Sequence, residues 1–167
     1  KYNIFLYTMK KLLLKKYALN YLAKYDSSKK NLFNILKKKI NKLTTENKEQ
    51  KILYNSINDI LIELESKKLI DDNKYALRKL ENYSAQGKSK RFIENYLIYK
   101  GINKKSLEEI FNDFELINPE WEEESAKIFI RKKIKININP ENYNKNLSKM
   151  ARSGFSYSII KKTLNME

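Results

Sequence analysis

The sequence predicts an all-α protein of about nine helices, arranged as three tandem three-helix repeats. Three observations lead there. Helix breakers are scarce, with three Gly and two Pro in 167 residues. Side chains that cap helix starts recur along the whole chain. Short motifs at the helix joints return after about 50 residues, the mark of a modular helical array.

The elements follow from their ends. Asn, Asp, Ser and Thr accept the free N–H groups of a first helical turn. The candidates are Ser27, Thr45, Asp71 or Asp72, Ser89, Asn103, Asn118, Asn139 and Ser156. Asn118-Pro119-Glu120 and Asn139-Pro140-Glu141 are the same tripeptide: Asn caps, Pro takes the position that needs no N–H, and Glu meets the positive helix end. The helices are expected at roughly 10–25, 28–40, 46–67, 72–86, 89–100, 104–115, 119–134, 140–152 and 157–165. Met9-Lys10-Lys11 makes a natural start, so residues 1–9 are expected to be a leader, either an in-frame extension or poorly ordered.

The helices group as 10–67, 68–117 and 118–167. The first helix of each group carries a small Ala with an apolar residue four positions on: Ala18 and Leu22, Ala76 and Leu80, Ala126 and Ile130. That spacing puts both on one face, where Ala lets a neighbour approach closely. Leu97-Ile98-Tyr99-Lys100-Gly101-Ile102-Asn103 parallels Met150-Ala151-Arg152-Ser153-Gly154-Phe155-Ser156. Gly101 and Gly154 are expected to end their helices in the left-handed conformation, with Ile102 and Phe155 packing back. The first group departs from this pattern, with Lys37-Lys38-Lys39-Ile40 where Gly is expected. A longer third helix follows, its apolar face formed by Ile52, Ile57, Ile60, Leu61 and Leu64, so this group is expected to be loosened or extended.

Composition excludes several chemistries. Without Cys there is no disulfide, zinc knuckle or thiol nucleophile, and without His no Ser-His-Asp triad. Neither GxGxxG nor GxxxxGK[ST] appears. No apolar run reaches the roughly 18 residues of a membrane span. A cytoplasmic, soluble protein that is not an enzyme and needs no cofactor is expected. The formal charge of +15 attracts polyanions. Part of it is compositional, because 31 Lys, 20 Asn and 20 Ile against four Arg is what an AT-rich genome produces. The charge nevertheless alternates in blocks: +11 over residues 1–45, −2 over 46–75, +6 over 76–105, −8 over 106–126 and +8 over 127–167.

Leu69-Ile70-Asp71-Asp72-Asn73-Lys74-Tyr75-Ala76 resembles the entry to the second unit in the RecX family of small regulators that bind the recombinase RecA. Gln86-Gly87-Lys88-Ser89, then Ile93, Leu97 and Lys100-Gly101-Ile102, resemble the stretch that follows it, and Gly154-Phe155-Ser156 resembles the opening of the last helix. The similarity runs over about residues 11–167. The resemblance implies an elongated, curved monomer of three three-helix units. It also implies binding along the groove of a RecA–DNA filament, with inhibition of ATP hydrolysis, strand exchange and co-protease activity, and so a role in DNA repair, recombination and the SOS response. Single- or double-stranded DNA is implied as a weaker partner, with no cofactor and no membrane.

The candidate partner or phosphate contacts are Arg78, Lys79, Lys88, Lys90, Arg91 and Lys100 in the second unit, and Arg131, Lys132, Lys133 and Arg152 in the third. Lys10, Lys11, Lys15 and Lys16 lead the first. The arginines weigh most, because AT bias works against them and a planar guanidinium suits carboxylate or phosphate. Asp71, Asp72, Ala76, Gly87, Ser89, Gly101, Gly154 and Phe155 are family-motif positions read as structural. Asp71-Asp72 is read as a cap, with contact to a basic recombinase surface as the alternative. Glu120 and Glu122 to Glu124 are read as a favourable helix-start cluster, and Trp121 as packing between units. Phe92, Tyr96 and Tyr99 are read as core packing rather than base stacking. The alternative to a recombinase regulator is a nucleic-acid-binding helical module without that partner.

Overall fold

The computed structural model describes residues 4–134 and 140–164. All regular structure among them is helical: α1 (Ile4–Leu22), α2 (Lys29–Leu43), α3 (Asn47–Ser66), α4 (Asp72–Ser84), α5 (Lys90–Tyr99), α6 (Lys104–Ile117), α7 (Trp121–Lys133), α8 (Pro140–Arg152) and α9 (Tyr157–Leu164). The all-α class is as expected. The chain forms two compact units, Lys1–Tyr75 and Ala76–Glu167, and their boundary falls inside α4.

In the first unit α1, α2 and α3 pack on one another. The core takes Leu14 and Ala18 from α1, Leu32, Leu36 and Ile40 from α2, and Leu53, Ile57, Ile60, Leu61 and Leu64 from α3. Spacings of three and four put each set on one helix face. This first group is extended, not loosened, and every one of these side chains is buried. The run Lys37–Ile40 does not end α2. The helix continues to Leu43, where Thr44 turns extended and its N–H donates to the Ile40 carbonyl.

Helix α1 begins at Ile4, so it takes in residues 4–9 of the expected leader. Its apolar residues are not confined to one face, and ion pairs fix its register on α3. Lys10, Lys11 and Lys15 pair with Glu49, Asp59 and Glu63, the latter two at 2.8 and 2.6 Å. Partner numbers rise together, so the two helices run in the same direction. Lys15 and Lys67 both bond the Glu63 carboxyl and hold it down at about 2. These leading lysines are therefore structural.

Several caps differ from expectation. Ser28, not Ser27, caps α2, accepting from the Asn31 N–H. Asp71 caps α4, accepting from the Lys74 N–H at 3.0 Å. Glu46 precedes α3 and makes no side-chain cap bond, so Thr45 is not its cap. Asn118 does not cap α7. Helix α6 runs on to Ile117, and Asn118 closes it by donating to the Phe114 carbonyl. Ser89, Asn103 and Ser156 cap as expected. Asn139 lies outside the described residues.

In the second unit, Ile93 and Leu97 of α5 and Leu107 and Phe111 of α6 are buried. So is Trp121 of α7, whose ring lies 6.1 Å from Phe111 and 5.8 Å from Phe114. Ala126, Met150, Phe155, Ile160 and Leu164 form the core of α7, α8 and α9. Gly101 and Gly154 end α5 and α8 in the left-handed conformation, and the next N–H donates back to Leu97 and Met150 respectively. Ala18, Ala76 and Ala126 are all wholly buried.

One arrangement occurs twice. A buried Ser caps a helix and is followed by Lys. The Lys N–H donates to a carboxylate in the first turn of a later helix, and its ammonium group pairs with a Glu that ends the helix between. In the first unit these are Ser28, Lys29, Asp72 and Glu65, at 2.8 and 2.6 Å. In the second they are Ser89, Lys90, Glu122 and Glu115, at 3.0 and 2.7 Å.

Candidate functional site

The turn from Gln86 to Arg91 joins α4 to α5, and neighbouring elements hold it on both sides. Gly87 has φ +84°, and a Cβ there would lie 2.8 Å from the Phe129 backbone nitrogen of α7. The Ser125 hydroxyl of α7 donates to the Lys88 carbonyl at 2.8 Å. The Ser89 hydroxyl donates to the Ser153 carbonyl at 2.7 Å while accepting from the Phe92 N–H. A Cβ on Gly154 would come within 2.6 Å of that hydroxyl. The α8–α9 joint therefore sits directly on the start of α5. These contacts bring Gly87, Ser89 and Gly154 together in one packed joint.

Lys88, Arg91 and Lys132 lie at this turn, and further cations sit at the ends of α7 and α8. Lys88 lies over the Phe92 ring at 4.8 Å. The Lys132 ammonium group is 3.4 Å from the Gln86 carbonyl. Arg91 starts α5 beside Gly154, Arg131 and Lys133 lie in the last turn of α7, and Arg152 ends α8. All four are exposed and make no ion pair among the described residues. Cations at α7 and α8 C-termini also meet the negative helix end. Lys90 is different: Glu115 and the Phe111 ring occupy its ammonium group, so its role is structural. On α4, Arg78 is exposed and Lys79 half-buried.

Aromatic residues extend the surface along α5. Tyr83 packs edge-on against Phe92 and Tyr96, at centroid distances of 5.6 and 4.9 Å. Burial and the Tyr96 hydrogen bond push its phenol up to about 12. Lys100 lies over the Tyr96 and Tyr99 rings at 5.5 and 5.8 Å. Tyr99 is 74% exposed and Phe92 39%, which corrects the expectation of core packing for both. The signal was present in the sequence. Phe92, Tyr96 and Tyr99 form one stripe and Ile93 with Leu97 another, displaced by one residue, and only one stripe can face the core.

Asp72 and Glu122, the clasp carboxylates, are both pushed above their ordinary range by burial, against the opposing pull of the Lys29 and Lys90 N–H groups. For Glu122 the sign follows from linkage. The folded chain holds the proton more tightly than the unfolded one, so stability from this group falls as pH rises from the ordinary 4.5 through the raised value. Glu122→Gln keeps the acceptor oxygen and removes the charge. Its unfolding midpoint in denaturant, compared with wild type across that range, is expected to gain on wild type as pH rises. A variant that loses ground towards neutral pH would show that attraction to Lys90 outweighs burial.

Among the described residues no group of three or more carboxylates is placed to hold a metal ion, and no helix is long and apolar enough to cross a membrane. The arrangement offers exposed cations and rings on a helical scaffold, suited to an extended anionic partner. The class is an all-α helical protein with a basic and aromatic surface.

No family model matches the chain. The regulatory protein RecX of Myxococcus xanthus (strain DK1622) is 27% identical over 155 residues, covering 89% of this chain and 82% of that protein. A crystal structure of regulatory protein RecX matches with a TM-score of 0.69 at 21% identity, covering 96% of this chain and 74% of that one, which establishes the fold. The chain is thus similar in sequence to a RecX regulator and shares the RecX fold.

Proposed function

We propose that this protein regulates the recombinase RecA by binding the RecA–DNA filament and inhibiting ATP hydrolysis, strand exchange and co-protease activity. It thereby tempers DNA repair and the SOS response. The similarity to RecX over most of the chain carries this reading. The exposed cations around the Gln86–Arg91 turn support it, because a filament groove presents phosphates and carboxylates. The protein acts as a cytoplasmic monomer, binds rather than catalyses, needs no cofactor, and holds DNA less tightly than filament. Its three repeats span 10–67, 68–117 and 118–167. The twice-built Ser-Lys clasp supports that division, since each clasp ties one repeat to the start of the next.

The test is the single-stranded-DNA-dependent ATPase rate of a bacterial RecA, titrated with this protein. The expected result is a fall to near zero well below equimolar protein. An unchanged rate with free DNA still bound would leave a nucleic-acid-binding helical module and end the regulator reading. Charge reversal locates the docking face. Arg131→Glu with Arg152→Glu, and separately Arg78→Glu with Arg91→Glu, are compared for half-inhibition. At least one pair is expected to need about tenfold more protein, equivalent to roughly 1.4 kcal/mol of binding. If neither pair shifts the curve, these arginines do not dock the filament.

A further inference from the structure

The outward face of α2 is a dense run of lysines in the first unit. Lys10, Lys11, Lys15, Lys29 and Lys67 all have carboxylate partners. Helix α2 has six lysines and no acidic residue in its fifteen positions. Lys37, Lys38, Lys39 and Lys42 make no ion pair among the described residues. Like charges one turn apart repel, so the helix maintains this strip against its own electrostatics. The opposite face, Leu32, Leu36 and Ile40, supplies the core that holds it in place.

Tyrosines flank the strip. Lys39 lies over the Tyr17 ring at 5.0 Å and Lys37 over Tyr54 at 5.5 Å. The Tyr54 hydroxyl donates to the Asn41 side-chain carbonyl, which fixes the ring beside the helix. A recess of about 390 Å³ opens between Tyr17 and α2, lined by Ile35, Lys38, Lys39, Asn41 and Lys42. Tyr17 is 37% exposed at its wall. Lys38 and Lys42 are one turn apart, about 6 Å along the axis, which lets two ammonium groups meet neighbouring phosphates of one strand.

We propose that this strip binds the phosphodiester backbone of single-stranded nucleic acid, with a base stacked at Tyr17. Cations in a row neutralise phosphates, and a ring at their edge accepts any base. A flat, unspecific lysine coat would lack the recess and its ring. An anionic membrane is the weaker fit, because Leu32, Leu36 and Ile40 of α2 are already buried and its outward residues are mostly Lys and Asn, with Ile35 half-buried among them.

The experiment uses the full chain and labelled oligothymidine, with no recombinase present, so its outcome is independent of the filament reading. Binding is titrated at several salt concentrations for wild type, for Lys38→Glu with Lys42→Glu, and for Lys104→Glu with Lys105→Glu. The last pair lies at the start of α6, is exposed and changes net charge equally. The α2 pair is expected to weaken binding about tenfold or more and to flatten the log–log salt slope by about 1.4, two phosphates' worth on a single strand. The α6 pair is expected to change affinity less than about twofold. Equal losses in both pairs would mean attraction by net charge alone and would overturn the proposal, as would no loss in the α2 pair. So would binding to phosphatidylserine vesicles that the α2 pair abolishes while oligothymidine binding stays intact.

Discussion

Trp121→Ala is expected to cost about 3–5 kcal/mol, the range for removing a buried large aromatic. The ring is only 7% exposed and lies between Phe111 and Phe114 of α6 at the first position of α7. Its loss opens a cavity where the two helices meet, and the chain cannot refill it without shifting the start of α7. For a protein of this size each kcal/mol lowers the melting temperature by about 2–4 °C, so a drop of roughly 6–20 °C should appear in circular dichroism. A loss under about 1 kcal/mol would mean that neighbouring side chains collapse into the space. Trp121→Phe should recover much of the stability, since it keeps an apolar ring at the site.

Gly87→Ala is expected to cost about 3 kcal/mol. Two terms combine. The left-handed conformation costs an L-residue roughly 1–2 kcal/mol, and crowding a packed site typically adds about 1–3 kcal/mol. The crowding is severe here because the atom met at 2.8 Å is a backbone nitrogen, which no rotamer change can move. Gly101→Ala serves as the comparison. It has a similar φ of +88° at an exposed position and should show the conformational cost alone. Equal melting temperatures for the two variants would mean that α7 yields at Phe129. That yielding would displace Phe129 and loosen the last turn of α7. The filament inhibition proposed above would then weaken at temperatures where the variant is still folded.

Much of the helical layout was legible because caps and periodic stripes act over three or four residues. Ser89, Asn103 and Ser156 needed only their own first turns to be recognised. Asn118 misled because one side chain can start a helix or finish the preceding one. The choice depended on how far α6 packs, which no cap motif encodes. The wholly buried Ala18, Ala76 and Ala126 followed from the spacing to their apolar partners. The candidate surface was only partly legible. Arg91, Arg131, Lys133 and Arg152 are exposed, but Lys90, indistinguishable from them in the sequence, is held by Glu115 and by Glu122.

By itself the sequence determined the helices, most of their boundaries, the buried stripe of each, the Gly-ended joints, and the charge that points to an anionic partner. All of these depend on contacts within a few residues or on composition. Only the tertiary structure decided which cations remain available. Lys15 meets Glu63 across 48 positions and Lys29 meets Glu65 across 36, and such pairings depend on how helices lie against one another. It also decided that Phe92 and Tyr99 face outward, because a helix with two apolar stripes buries the one its neighbours reach. Lys37, Lys38, Lys39 and Lys42 of α2 stay without an ion pair among the described residues for the same reason, because the helix face they occupy meets no carboxylate there.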